Sequence, residues 1–148
     1  MTQLEIRDIA AQSAAAEHAV TSADELPAVV DRAFPAIFAR LGELGVQPAG
    51  PPFIRYLDTG DPMQVELGVP VASEFEDSEQ VSLPAGRAAV WTHVGPYSEL
   101  RHACEQLGAA VQELGEQPSG PFWESYVTNP AEEPDASKRV TEIYLPLR

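Results

Sequence analysis

The 148-residue sequence predicts an α+β fold made of two copies of one strand–helix–strand–strand module. Three observations point there. GVQPAGPPFIRY (Gly45 to Tyr56) aligns without gaps to GEQPSGPFWESY (Gly115 to Tyr126), with Gly, Gln, Pro, Gly, Pro and Tyr recurring in place. Such self-similarity marks a repeated structural unit. An amphipathic helical stripe precedes each copy. Strand-like segments flank both: IAAQSAAAEHAV (Ile9 to Val20) lies over LPAGRAAVWTHV (Leu83 to Val94), and VELGVPV (Val65 to Val71) over TEIYLPL (Thr141 to Leu147).

AAQSAAAEHA has helical propensity, but its partner RAAVWTHV reads as a strand, so the repeat assigns a strand to both. Next, Leu26, Val29, Val30, Ala33, Phe34, Ile37, Phe38, Leu41 and Leu44 follow helical spacing. Ser22 with Glu25 is a candidate capping box, and Gly45 a stop. Pro35 falls inside the pattern and is expected to kink the helix. In the second half, Tyr97, Leu100, Ala103, Cys104, Leu107, Val111 and Leu114 make the same stripe and end at Gly115. The remaining strands close each module.

The halves span about residues 5–72 and 82–148 of a single domain, joined by the acidic segment SEFEDSEQ (Ser73 to Gln80). One such module buries little alone. Two modules related by a pseudo-twofold axis would share a core, with antiparallel sheets and two main helices flanking a central groove, a favoured place for a ligand.

The net charge is −14 and the pI about 4.4, which argues against direct contact with nucleic acid. The N-terminus lacks the basic start and apolar run of a signal peptide, and no segment has the ~20 apolar residues of a membrane helix. The expected compartment is the cytoplasm. One cysteine, Cys104, excludes an intrachain disulfide and a cysteine-based zinc site; it reads as a small core hydrophobe. No P-loop, zincin or nucleophile-elbow motif occurs. Neither a metal nor an organic cofactor is expected. The oligomeric state has no signature in the sequence.

SGPFWESY raises the functional question, because it sets one carboxylate, Glu124, among Phe122, Trp123 and Tyr126. On the residues alone, Glu124 is either a strand acid facing water or the charged floor of an apolar pocket. Strand alternation puts Phe122, Glu124 and Tyr126 on one face and Trp123, Ser125 and Val127 on the other. Glu142 and Tyr144 share a face of the last strand. Two faces, each with an acid and a tyrosine, are expected to converge on one groove. The counterpart of Glu124 in the first half is Ile54, so the repeated fold does not demand that acid. The counterpart of Glu142 is Glu66, which leaves a structural role for Glu142 open. His93 in THVGPY reads as a turn-stabilising histidine rather than a general base.

LPAGRAAVWTHVGPYSEL, SGPFWESYVTNP and TEIYLPL, with GPPFIRY and ELGVPV in the first half, together resemble the GyrI-like small-molecule-binding domain, which is also the effector-binding domain of BmrR-type multidrug-responsive regulators. The resemblance covers essentially the whole chain. It implies a duplicated strand–helix–strand–strand fold and a pocket for lipophilic, often cationic molecules. The family's key acid corresponds to Glu124, and a second one to Glu142. Trp91, Tyr97, Tyr144 and Tyr56 join Phe122, Trp123 and Tyr126 as candidate aromatic lining. Family regulators carry a helix-turn-helix region ahead of this domain. Here a strand is expected almost from Met1, so a stand-alone binding protein is the leading reading. The resemblance also leaves open a hydrolase of cyclopropane-bearing or similar flat aromatic toxins, using Glu124 and Tyr126, and a gyrase-inhibitor-like interaction module.

Overall fold

The computed structural model describes residues 3–72 and 80–148. In chain order the elements are β1 (Leu4–Ile9), β2 (Gln12–Thr21), α1 (Leu26–Leu44), β3 (Phe53–Asp58), β4 (Met63–Pro70), β5 (Gln80–Leu83), β6 (Gly86–Val94), α2 (Leu100–Glu113), β7 (Trp123–Ser125) and β8 (Val140–Pro146). The class is α+β, and the strand pairs within each unit are antiparallel.

The chain divides into two compact units, one of Ala11–Pro84 and one of Met1–Ala10 with Ala85–Arg148. These differ from the two sequential halves: β1 pairs with β6, and β5 pairs with β2. The sequence reading ran one strand through Ile9 to Val20, whereas β1 ends at Ile9 and β2 starts at Gln12. Gln80, assigned to the connector, opens β5; the rest of that segment, 73–79, lies outside the described residues. Both additions are short strands whose partners are distant in sequence, so no local pattern marks them.

In the first unit the strands lie in the order β5-β2-β4-β3. The Ala-rich β2 is a strand, as its repeat partner indicated. It pairs on both sides, and Ala14, Ala15 and Ala16 are buried there. Two ladders of hydrogen bonds outweigh alanine's helical preference. α1 packs Ile37 and Leu41 against Ala15, Val69 and Val71. At its start the Ser22 hydroxyl accepts from the Glu25 N–H at 3.2 Å, which is the forward arm of the expected capping box. It runs on through Pro35 and ends at Gly45, whose φ of 68° is the left-handed conformation that glycine adopts freely.

The second unit has the order β1-β6-β8-β7. A 3-10 turn, Tyr97–Glu99, leads into α2, and Gly115 ends the helical segment with φ 72°. Leu100, Ala103, Leu107 and Val111 of α2 pack against Ala89 and Trp91 of β6, Ile143 of β8 and Leu147. Pairings recur between the units at matching positions. Phe53–Gly68 and Ile54–Leu67 on β3 and β4 match Trp123–Tyr144 and Glu124–Ile143 on β7 and β8. At the first of these positions a Cβ on Gly68 would stand 2.4 Å from the Phe53 ring, so glycine makes room for that ring. In the second unit, Tyr144 instead stacks on Trp123.

Candidate functional site

Register fixes which side chains meet. Leu4 pairs with Trp91, Trp91 with Ile143, and Ile143 with Glu124, giving one row across β1, β6, β8 and β7. Residues paired in this way share a sheet face. Trp91 and Ile143 belong to the core under α2, so Glu124 points toward that helix. The residue is 5% exposed. Glu124 is therefore no water-facing strand acid. Its Oε1 accepts from the Tyr126 hydroxyl at 2.8 Å, and its Oε2 lies 3.8 Å from the Cys104 thiol of α2. Phe122 and Tyr126 pack on the same core, as alternation predicted.

The surroundings are electrostatically tense. Burial pushes the Cys104 thiol up to about 12, and the nearby Glu124 carboxylate pushes it further the same way. Cys104 is thus a protonated donor beside an acid, more than the inert core hydrophobe that composition suggested. The Tyr97 ring meets Tyr126 edge to face, with centroids 5.6 Å apart. The Arg139 guanidinium stands over the Tyr97 ring at 5.5 Å. Burial raises the Tyr97 phenol, and Arg139 opposes that shift.

The other face of the β7–β8 pair is a different environment. Trp123 and Tyr144 are register partners and stack with centroids 5.2 Å apart and planes 6° from parallel. Glu142 accepts from the Tyr144 hydroxyl at 3.1 Å and from Arg7 at 3.2 Å. Burial, and then Glu142, push the Tyr144 phenol up to about 12. The expectation that both acid–tyrosine sets converge is corrected here. Adjacent residues of a strand project to opposite sides, so the Glu124–Ile143 pair faces α2 while the Ser125–Glu142 pair faces away. Tyr56 lies half-buried on β3 of the other unit, opposite Val65. The His93 ring nitrogen lies 3.2 Å from the Pro96 carbonyl, the turn role expected of it.

Sequence reasoning missed Arg7 and Arg139. Arg7 sits on β1, expected as strand but not as a separate strand beside β6, and Arg139 lies in a stretch without periodicity. Among the described residues no cluster of His, Cys, Asp and Glu is arranged to hold a metal ion. No described helix is long and apolar enough to cross a membrane.

A family model for the GyrI-like small molecule binding domain matches residues 2–148. The chain belongs to this GyrI-like family. Among solved structures, the EcmrR C-terminal domain is similar at 22% identity and a TM-score of 0.85, covering 99% of this chain and 97% of that one. EcmrR in a complex with DNA matches at 21% identity and a TM-score of 0.87; the present chain spans 57% of it. SAV2435 bound to tetraphenylphosphonium matches at 12% identity and a TM-score of 0.72, covering 99% of this chain and 94% of that one. A hydrolase from Listeria innocua matches at 14% identity and a TM-score of 0.66, covering 99% and 92%. At these identities the structural likeness establishes the fold alone. No curated protein sequence matches the chain. Small-molecule binding is therefore the general role of this GyrI-like chain.

Proposed function

We propose that this GyrI-like protein binds lipophilic cations, with Glu124 as the counter-charge and Phe122, Tyr126, Trp91 and Tyr97 around it. The carrying observation is a carboxylate buried under α2 at the position where the other unit has Ile54. A buried acid is costly, and a fold that repeats the position without it has no structural need of it. Positive charge complements a carboxylate in such surroundings, and aromatic rings add ~0.5–2 kcal/mol per good cation contact. The tetraphenylphosphonium bound to SAV2435 is a cation of this class.

In this reading the protein works in the cytoplasm as one ligand-binding domain derived by duplication. Its acidic surface keeps it from direct contact with nucleic acid. Glu124→Gln tests the proposal, because it keeps shape and removes charge. A charge-assisted contact is worth ~1.5–3 kcal/mol, so affinity for a cationic dye falls by roughly 10- to 150-fold. A neutral dye of similar shape loses much less. Equal cation affinity in both proteins, measured by fluorescence titration, rejects the reading.

A second reading is hydrolysis of a strained, flat aromatic toxin. The 2.8 Å Tyr126–Glu124 hydrogen bond favours it, since it pairs a proton donor with an acceptor at one point, and a structural neighbour is a hydrolase. Incubation with a cyclopropane-bearing alkylator, followed by mass spectrometry, separates turnover from binding.

A further inference from the structure

We propose that Tyr97 is a hydrogen-bond donor to the ligand, so that the site selects cations that also carry an acceptor oxygen, such as a carbonyl or ether. The proposal rests on the cation reading above and refines it. Three observations carry it. The Tyr97 hydroxyl is buried and has no hydrogen-bond partner among the described residues. A buried hydroxyl that has left water without finding an acceptor is an uncompensated cost, and it calls for an explanation. The ring that bears it touches Tyr126, whose own hydroxyl is committed to Glu124. Tyr97 therefore lies one tyrosine away from the acid, within the same aromatic group.

Arg139 then decides which chemistry suits that end. Its Nε donates to the Glu133 carbonyl at 3.1 Å, and its own carbonyl accepts from the Gly95 N–H at 2.8 Å. Held in this way, its guanidinium lies over the Tyr97 ring. The ring face that would attract a ligand cation already has one, and a second positive charge there is repelled. The same charge polarises the phenol and makes it a stronger donor. One end of the site thus favours positive charge, at Glu124, and the other an electron-rich oxygen, at Tyr97. A second orphaned hydroxyl lies on the same side of the sheet. Thr141 is fully buried, its hydroxyl has no partner among the described residues, and it stands two residues before Ile143 on β8. It is an alternative donor for the same oxygen.

A matched pair of phosphonium cations tests this: 4-acetylphenyl-triphenylphosphonium and its 4-isopropylphenyl analogue, which has the same charge and nearly the same shape. Calorimetry is run on wild type, Tyr97→Phe and Thr141→Val, with melting temperature as the folding control. Wild type is expected to prefer the acetyl compound. Tyr97→Phe is expected to lose ~2- to 10-fold for that compound alone, the range of one neutral hydrogen bond. Equal losses for both cations, or none for either, overturn the proposal. A selective loss confined to Thr141→Val also overturns it and moves the donor to that residue. If wild type binds both cations but without preference, only this inference falls. If it binds neither, the cation reading itself falls, and this inference with it.

Discussion

The β7–β8 pair and the β3–β4 pair share a register and differ in charge at one buried position. Ile54 opposite Leu67 is an apolar contact, with Ile54 3% exposed. Glu124 opposite Ile143 sets a carboxylate at the equivalent point. The closing strands differ less. Glu66 and Glu142 match, and each is met by an arginine: Arg55 at 3.4 Å and Arg7 at 3.2 Å. An acid that recurs with a cationic partner belongs to the scaffold. An acid that occurs once, beside a tyrosine and a thiol, is the one the proposed function uses. On the proposed reading, function lives in a residue particular to one unit, which the fold alone would not reveal.

The sharpest way to break this comparison is to place the acid in the other unit. Ile54→Glu buries a carboxylate at a site whose register partner, Leu67, is aliphatic and fully buried. The expected loss is about 3–5 kcal/mol of stability at neutral pH, the range for an uncompensated buried charge. Acidification should recover part of it, since protonation removes the charge. Urea denaturation at pH 7 and pH 4.5 reads both effects. A variant as stable as wild type at pH 7 would mean that the two positions differ in environment, and the equivalence would fail.

How much of this was legible in sequence follows from the range of each interaction. The two helices were, because their stripes are local and their glycine stops are chemical. β2 was legible only through its repeat partner. β5, and the break that makes β1 a strand of its own, were not, since each pairs across the boundary that a sequential reading draws. Glu124 stood out through its aromatic neighbours and the isoleucine at its counterpart. Its contact with Cys104 depends on how α2 is rotated over β7. The orphaned Tyr97 hydroxyl depends on where Arg139 comes to rest. No spacing rule encodes either.

A smaller effect separates the two arginine-paired acids. Arg55 and Glu66 are 19% and 15% exposed, against 34% and 22% for Arg7 and Glu142. Glu66→Gln leaves Arg55, whose Nε already has no partner among the described residues, with a poorer acceptor, at an expected cost of about 1–3 kcal/mol. Glu142→Gln should cost less than about 1 kcal/mol, because Arg7 keeps its exposed bridge to Glu5. Cation affinity should fall less in Glu142→Gln than in Glu124→Gln, since Arg7 neutralises Glu142. Paired thermal melts and dye titrations check both statements. An affinity loss for Glu142→Gln equal to that for Glu124→Gln would place both acids in one ligand site despite their opposite faces.

The smallest expected effect concerns Cys104, and it tests the placement of Glu124 from the helix side. Burial first, and then Glu124, carry the thiol from 9.0 to about 12. A group whose pKa is raised by folding holds its proton in the folded state while the unfolded chain releases it. Its stabilisation is whole below pH 9 and is lost as the pH climbs toward 12. With an allowance for partial solvent screening, wild type should lose roughly 0.5–1 kcal/mol more than Cys104→Ala between about pH 7 and 10. Thiolate absorbance in the folded protein should stay low until well above the usual thiol range, then rise. If it rises near pH 9 instead, Cys104 does not sit buried beside Glu124, and the placement of the thiol against that carboxylate fails.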